Sequence, residues 1–341
     1  MSIRFEFLRA GCGDSILVST DEGTNILIDG GVTKTYVLKL KAKIEEMENK
    51  NLFLDLVILT HYDDDHIAGL LKLLDNEKYK IEKGYSTVIK EFWFNSFDNA
   101  LVDETITSYK TSSKQQIKFD EYIKELTPYI NYRALLSTDN QIDFTIGKDS
   151  DIKLTLLSPN DKKLEKLFNK YQKENKNYQT SSSSNDYNFS VEELSEKELI
   201  KDNSLTNGAS IAFILHYENM NFLLLGDAHI DCIVNSLKRL GYSSQNRLDL
   251  EFVKLSHHGS SKNLNREFLD LIDSKRFVIS TNGGRHQHPN KETLSKIVTY
   301  AKRDKDEDIE FIYNYEHCRD IFTPTEKREY KAIFKNEILN F

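Results

Sequence analysis

The chain has 341 residues, 39% hydrophobic and 29% charged, with a formal net charge of −8. That composition suits one large globular domain or two modest ones and excludes collagen, coiled coil and a fully disordered chain. The longest apolar runs are strand-length, far short of the roughly 20 residues of a membrane span. The N-terminal MSIRFEFLRAGCGDS lacks the apolar stretch of a secretory signal, so a cytoplasmic protein with no membrane contact is expected. Three scattered cysteines, Cys12, Cys232 and Cys318, give neither a disulfide framework nor a paired metal motif. The acidic balance argues against passive coating of nucleic acid, though not against cutting it.

In chain order, IRFEFL, SILVST and NILID are separated by tight-turn signals and predict antiparallel strands. Residues 34–49 carry apolar positions at helical spacing, and LFLDLVILT reads as a strand buried on both faces, followed by a helix from HIAGLLKLLDN. Further strands are predicted at VIKEFWF, QIDFTI, IKLTLL, SIAFILHY, NFLLLGD, LEFVKLSH, RFVIST and IEFIY. Helices are predicted near 113–127, 161–174, 229–240, 263–273 and 290–302. The mixture predicts an α/β (α+β) domain over residues 1–341, with two sheets packed face to face and helices outside. Residues 159–203 are rich in Lys, Glu, Asn and Ser and hold little that could form a core. They read as a polar insertion, helical at its ends and mobile around Ser181–Ser184. It is either a solvated loop or a substrate lid or partner-docking arm. The aromatics Phe92, Trp93, Phe94 and Phe97 read as core rather than as a base-stacking platform.

The chemistry concentrates at strand ends. His61-Tyr62-Asp63-Asp64-Asp65-His66 places five potential metal ligands in six positions after an apolar strand, and carboxylates so close repel unless a cation lies between them. Asp64 is expected to cap the helix that follows. NFLLLGD ends in Asp227, which could bridge two ions. FVKLSHHGS brings His257, His258 and Ser260; on extended chain, adjacent side chains point opposite ways, so one imidazole is expected to ligate and the other to face substrate or a supporting carboxylate. STNGGRHQHP adds Arg285, His286 and His288.

In order and spacing, His-x-Asp-x-Asp-His, Gly-Asp, His-His-Gly-Ser and a final His-Pro resemble the metallo-β-lactamase superfamily, and in particular the branch holding the hydrolase domain of the competence protein ComEC. Gly11-Cys12-Gly13-Asp14-Ser15, Leu27-Ile28-Asp29-Gly30-Gly31 and Asn207-Gly208-Ala209-Ser210 resemble that branch too, so the likeness covers about residues 3–95 and 141–303. The resemblance implies an αββα sandwich with a two-metal centre. His61 and Asp63 would hold one ion, Asp65 and His66 the other, Asp227 would bridge them, and His257 or His258 would complete the second. Asp63 stands where the superfamily commonly has a histidine, which makes zinc less secure and manganese or iron credible. The third-motif histidine is replaced, leaving Asn207, water or substrate to fill in. Asp14 and Asp29 would orient ligands or hold turns.

Two such cations supply hydroxide at neutral pH and clamp both oxygens of an in-line displacement, which suits phosphodiesters. The expectation is therefore a phosphodiesterase or nuclease acting on nucleic acid or nucleotides. Asp65, His258 and His288 are its catalytic candidates, and Asn207, Ser260 and Arg285 its substrate-binding ones. The alternatives are a hydrolase of a small ester, thioester or lactam, and a metal-stabilised, partner-binding subunit of a multi-protein defence system, docked through the insertion or the polar stretch Glu326–Lys335. Two divalent ions would bring the charge from −8 toward −4, so binding of a polyanion should depend on metal.

Overall fold

A computed structural model describes residues 1–96, 98, 114–147, 152–173, 185–284, 286–304 and 306–341, the side chains of 170–173 excepted. Two mixed sheets lie face to face. The first is built from β1 (Ile3–Phe7), β2 (Ile16–Thr20), β3 (Asn25–Ile28), β4 (Leu56–Ile58), β5 (Glu91–Trp93) and β6 (Asn131–Arg133). The second uses β7 (Asp143–Ile146), β8 (Ile152–Ser158), β9 (Ala212–Tyr217) and β10 (Met220–Leu224). After a short strand β11 (Leu248–Asp249) it continues with β12 (Phe252–Lys254). A further short strand, β13 (Ile272–Asp273), pairs with β11 as a separate ribbon. β14 (Arg276–Ile279), β15 (Ile309–Tyr313) and β16 (Ala332–Lys335) complete the second sheet, and β17 (Leu339–Asn340) returns to the first. The orders are β17-β1-β2-β3-β4-β5-β6 and β16-β15-β14-β12-β10-β9-β8-β7.

Alternation sorts the side chains. Ile26 and Ile28 of β3 face the second sheet with Ile3, Phe5 and Ile58, and meet Phe213, Phe222 and Phe252 there. Leu27 points the other way, into a layer with Ile67, Leu70 and Leu74 from the Asp64–Glu82 helix. The Ile230–Arg239 and Lys291–Tyr300 helices cover the second sheet through Ile233, Leu237, Leu294 and Ile297. The result is helix, sheet, sheet, helix. Phe5 sits at the centre, its ring 4.6 Å from that of Phe222 and 4.8 Å from that of Phe252, so Phe5→Ala should cost about 3–5 kcal/mol.

Several expectations are corrected. LFLDLVILT yields only Leu56–Ile58 as strand: the Leu59 N–H still reaches the Trp93 carbonyl, but that of Thr60 is taken by the Asp29 carboxylate. The helix expected at 263–273 is cut to Arg266–Leu271, capped by Asn265, and then turns into β13. Glu326–Lys335 is no free docking arm: Thr323 and Glu326 form a capping box, and β16 pairs with β15. The insertion is helical at its ends, over Asp161–Lys173 and Val191–Ser195, yet it does contribute core through Leu164, Leu167, Phe168, Val191 and Leu194. Phe92, Trp93 and Phe94 are buried; Phe97 and Ser181–Ser184 lie outside the described residues.

Candidate metal centre

Strands β3 and β4 run parallel and end side by side, with Ile28 opposite Ile58. The residue after β3, Asp29, takes a left-handed turn (φ 58°), and its chain presses against the start of the Asp64–Glu82 helix. Gly30 and Gly69 make that approach possible, since a Cβ on Gly69 would lie 1.9 Å from the Gly30 oxygen. The buried Asp29 carboxylate then serves both loops. It accepts from the Thr60 N–H at 2.8 Å, the Thr60 hydroxyl at 2.7 Å and His66 Nδ1 at 2.8 Å.

These bonds settle where the ring protons sit. A carboxylate only accepts, so His66 Nδ1 carries the hydrogen and Nε2 presents a lone pair. The Thr60 hydroxyl gives its hydrogen to Asp29 and so accepts from His61 Nδ1 at 3.0 Å, freeing His61 Nε2 in the same way. His258 Nδ1 donates to the Ser280 carbonyl at 2.8 Å. His61, His66 and His258 are at most 4% exposed, and none of their Nε2 atoms has a hydrogen-bond partner; nor does Oδ1 of Asp227.

All these atoms converge on Asp227. Its Oδ1 lies 3.7 Å from His66 Nε2 and 3.6 Å from His258 Nε2. Its Oδ2 lies 3.8 Å from His61 Nε2 and 3.8 Å from His257 Nε2. Asp63 approaches His61 at 3.7 Å, and Asp65 approaches His258 at 3.9 Å. Such gaps are too long for hydrogen bonds but fall within about 4.2 Å, the widest separation of two atoms each about 2.1 Å from one ion. Asp14, His66, His258 and Asp227 offer ligand atoms that all lie within 4.8 Å of one another, with Asp65 beside His258, while Oδ2 of Asp227 has His61 and His257 near it and Asp63 approaches His61. Four buried polar atoms without partners are costly unless something cationic satisfies them, so the residues present fit a metal centre.

The electrostatics agree. Burial favours neutral His66, but Asp227 and Asp29 outweigh it and raise its pKa well above the usual histidine value. Burial would likewise raise Asp227, but His258, His66 and His257 hold it well below the usual carboxylate range. The pocket therefore attracts positive charge. Cys12 beside Asp65 has its thiol pushed up to about 12 by burial and that carboxylate, so it stays protonated.

His257 and His258 depart from the expected alternation. Both adopt left-handed backbone (φ 46° and 55°), and this swings both rings toward Asp227. His257 thereby brings its Nε2 toward the same Asp227 oxygen that His61 Nε2 approaches. Its Nδ1 donates to Asn263 Oδ1 at 3.3 Å and lies 3.3 Å from Asp202 Oδ2. Asn207 gives its amide to Asp202 at 2.8 Å, bracing that carboxylate. Ser260 caps the turn Ser261–Asn263 by accepting from the Lys262 N–H. The His288 ring lies 5.0 Å from that of His257, and its Nδ1 is buried without a partner. Asp64 is no cap: it sits in the helix's first turn and accepts from Gln115. Arg285 lies outside the described residues.

Sequence reasoning missed Asp202, Asn263 and Lys254. Lys254 is 1% exposed on β12, ion-paired to Asp14 and 3.4 Å from the Gly226 carbonyl, directly before Asp227. Asp14 Oδ1 is 3.6 Å from His258 Nδ1. The only signal for Lys254 was a charged residue inside an otherwise apolar strand.

A two-sheet α/β sandwich with a carboxylate shared by four histidines defines the class. The family model described as metallo-beta-lactamase superfamily matches residues 9–104, the segment holding Asp14, Asp29 and His61–His66. Fold and family match together support that superfamily. Among solved structures, the chain is similar to the metallo-beta-lactamase fold protein YhfI from Bacillus subtilis (12% identity, 100% of this chain and 98% of that one, TM-score 0.42). It is also similar to a diphosphatase of the PhnP family (11%, 100% and 98%, 0.42) and to human tRNase Z, short form (10%, 100% and 98%, 0.40). No curated protein matches the sequence. Among the described residues, no helix is long and apolar enough to cross a membrane.

Proposed function

We propose that the protein is a metal-dependent phosphodiesterase acting on nucleic acid or nucleotides, of the branch that the ComEC hydrolase domain represents. One observation carries the reading: four buried polar atoms without partners, three imidazole Nε2 and one carboxylate oxygen, face a common point across Asp227. His61, Asp63 and His257 would hold one divalent ion, Asp65, His66 and His258 a second, and Asp227 both; the mixed nitrogen and oxygen donors suit zinc, manganese or iron. Such a pair, when bound, supplies a nucleophile at neutral pH and neutralises charge developing on a phosphoryl group.

The chain's own residues supply orientation and proton handling. Asp29, Thr60 and the Ser280 carbonyl lock three rings with Nε2 inward. His288, left neutral by burial and neighbouring histidines, stands beside His257 with a ring nitrogen that has no partner, and would take up or orient a proton rather than give one to the leaving oxygen. Motif resemblance, rather than any shaped substrate pocket, favours phosphodiesters over carboxylic esters or lactams. The test is metal analysis of the purified protein followed by a cleavage panel of bis(p-nitrophenyl) phosphate, DNA, RNA and a β-lactam, each with zinc and with manganese. Two ions per chain and diester cleavage are expected, with both lost in an Asp65→Ala/His66→Ala variant that keeps its circular dichroism. Cleavage of the lactam alone would overturn the substrate class.

A further inference from the structure

A second cavity backs onto the metal centre. It measures about 210 Å³ and is lined by Lys163 and Lys166 from the Asp161–Lys173 helix, Lys201 and Asp202 from the end of the insertion, His229, and Lys262. Its shared wall is Asp202, whose Oδ2 is 3.3 Å from His257 Nδ1, while His257 Nε2 is 3.8 Å from Asp227. One imidazole ring therefore separates the cavity from the shared carboxylate. In a chain of net charge −8, four lysines around one cavity are a local reversal of sign.

The charges present do not cancel. Lys163 is paired with Asp231 at 3.0 Å. Asp202 is already satisfied by the Ser204 N–H, the Asn207 amide and the Asn263 amide. Among the described residues, Lys166, Lys201 and Lys262 form no ion pair. His229 adds a donor. Lys163 donates to its Nδ1 at 2.8 Å, so Nε2 carries the ring hydrogen; that atom is buried without a hydrogen-bond partner, 3.9 Å from Asp202 Oδ1, in a residue 8% exposed. Gly208 makes room for the ring, since a Cβ there would lie 3.0 Å from His229 Cε1. Three exposed lysines without ion pairs and one buried N–H without a hydrogen bond, around a volume of about seven waters, give an oxyanion more positive than negative neighbours.

We propose that this cavity is a subsite for a non-scissile phosphate of a nucleic-acid strand, one neighbouring the phosphate held at the metal centre. The proposal rests on the phosphodiesterase reading. It also gives the insertion a function. The two ends of the insertion, joined across the site, supply three of the four lysines, so the insertion selects for strands over isolated diesters.

The test uses a Lys166→Gln/Lys201→Gln/Lys262→Gln variant and its Lys→Arg counterpart, with folding checked by circular dichroism. Binding of inorganic tripolyphosphate to chelator-treated protein is followed by calorimetry, and kcat/KM is compared for a 12-nucleotide single strand and for bis(p-nitrophenyl) phosphate. The wild type should bind tripolyphosphate without metal. The Gln variant should bind it at least tenfold more weakly, lose at least tenfold in the ratio of strand to small-diester kcat/KM, and flatten the slope of log affinity for the strand against log salt by about 2, as expected for three lost contacts. The Arg variant should resemble the wild type. Unchanged tripolyphosphate binding and an unchanged ratio would overturn the subsite. Failure of the wild type to cleave any phosphodiester, with lysine-dependent tripolyphosphate binding retained, would overturn the reading of the metal centre and leave an anion cavity standing.

Discussion

The two sides of the centre are held by different means. On the side of the first sheet, His61 and His66 come from one six-residue segment, and a single buried carboxylate, Asp29, fixes both rings directly or through Thr60. On the side of the second sheet, His257 is fixed by Asn263, six residues on, and by Asp202, 55 residues back, which in turn accepts from Asn207. His257 is also the more open ring, its side chain 20% exposed against 1% for His61. The first side is braced from within the sandwich; the second depends on an insertion that also lines a basic cavity. Both halves use a carboxylate from elsewhere in the chain, but Asp29 comes from a core strand end and Asp202 from the insertion, so only the second half can change with the insertion.

Substitutions can break this comparison at graded points. Asp227 faces ligands from both sides, so Asp227→Asn should lose both ions and at least about a hundredfold in turnover, the scale for one preorganised charged group; metal content by mass spectrometry is the readout. Retention of one full equivalent of metal would mean that the sides do not share the carboxylate. Asp29→Asn should weaken metal binding about 10–100-fold, the range for partners that orient ligating histidines. Because His61 and His66 face different oxygens of Asp227, both ions should weaken together. Asp202→Asn should cost about tenfold, the low end of that range, and weaken one ion only. Equal losses from both ions in titrations of Asp202→Asn would erase the distinction between the two sides.

How much of this was readable from the sequence follows the same division. The paired sheets were visible because alternation is a local property, and the clustering of the candidate ligands His61–His66 with the strand-end Asp227 because strand-end position is one too. The joint convergence of His257 and His258 was not, because it depends on two consecutive left-handed residues where extended chain was the natural expectation. Asp202 was hidden in a segment whose composition reads as solvated loop, and it lies 55 positions from the ring it braces. Lys254 looked like an ordinary strand lysine until its ion pair with Asp14 placed it beneath the site. Asp64 was assigned a cap by residue type alone, but the N-cap position belongs to Asp63, which makes no side-chain cap bond.

The contrast extends to carboxylates that hold no ion, and there it predicts pH dependence. Asp231 on the insertion side has Lys163 beside it and is lowered, burial notwithstanding. Asp120, on the Lys114–Leu126 helix behind the first sheet, is 4% exposed and accepts from the Ser96 hydroxyl at 3.1 Å. Burial dominates, and its pKa rises from 3.8 to about 7. The folded state therefore keeps a proton that the unfolded state gives up near pH 3.8, so folding binds protons between those values and stability falls as pH rises through that window. Above it, the folded chain carries a buried carboxylate at a cost of about 4 kcal/mol, at about 1.4 kcal/mol for each pH unit between 3.8 and about 7. Asp120→Asn keeps the shape and removes the charge, so it should raise the melting temperature at pH 8 and leave it nearly unchanged at pH 5. A stabilisation of equal size at both pH values would show that Asp120 is ionised in the fold, and that the dry packing behind the first sheet does not extend to this helix.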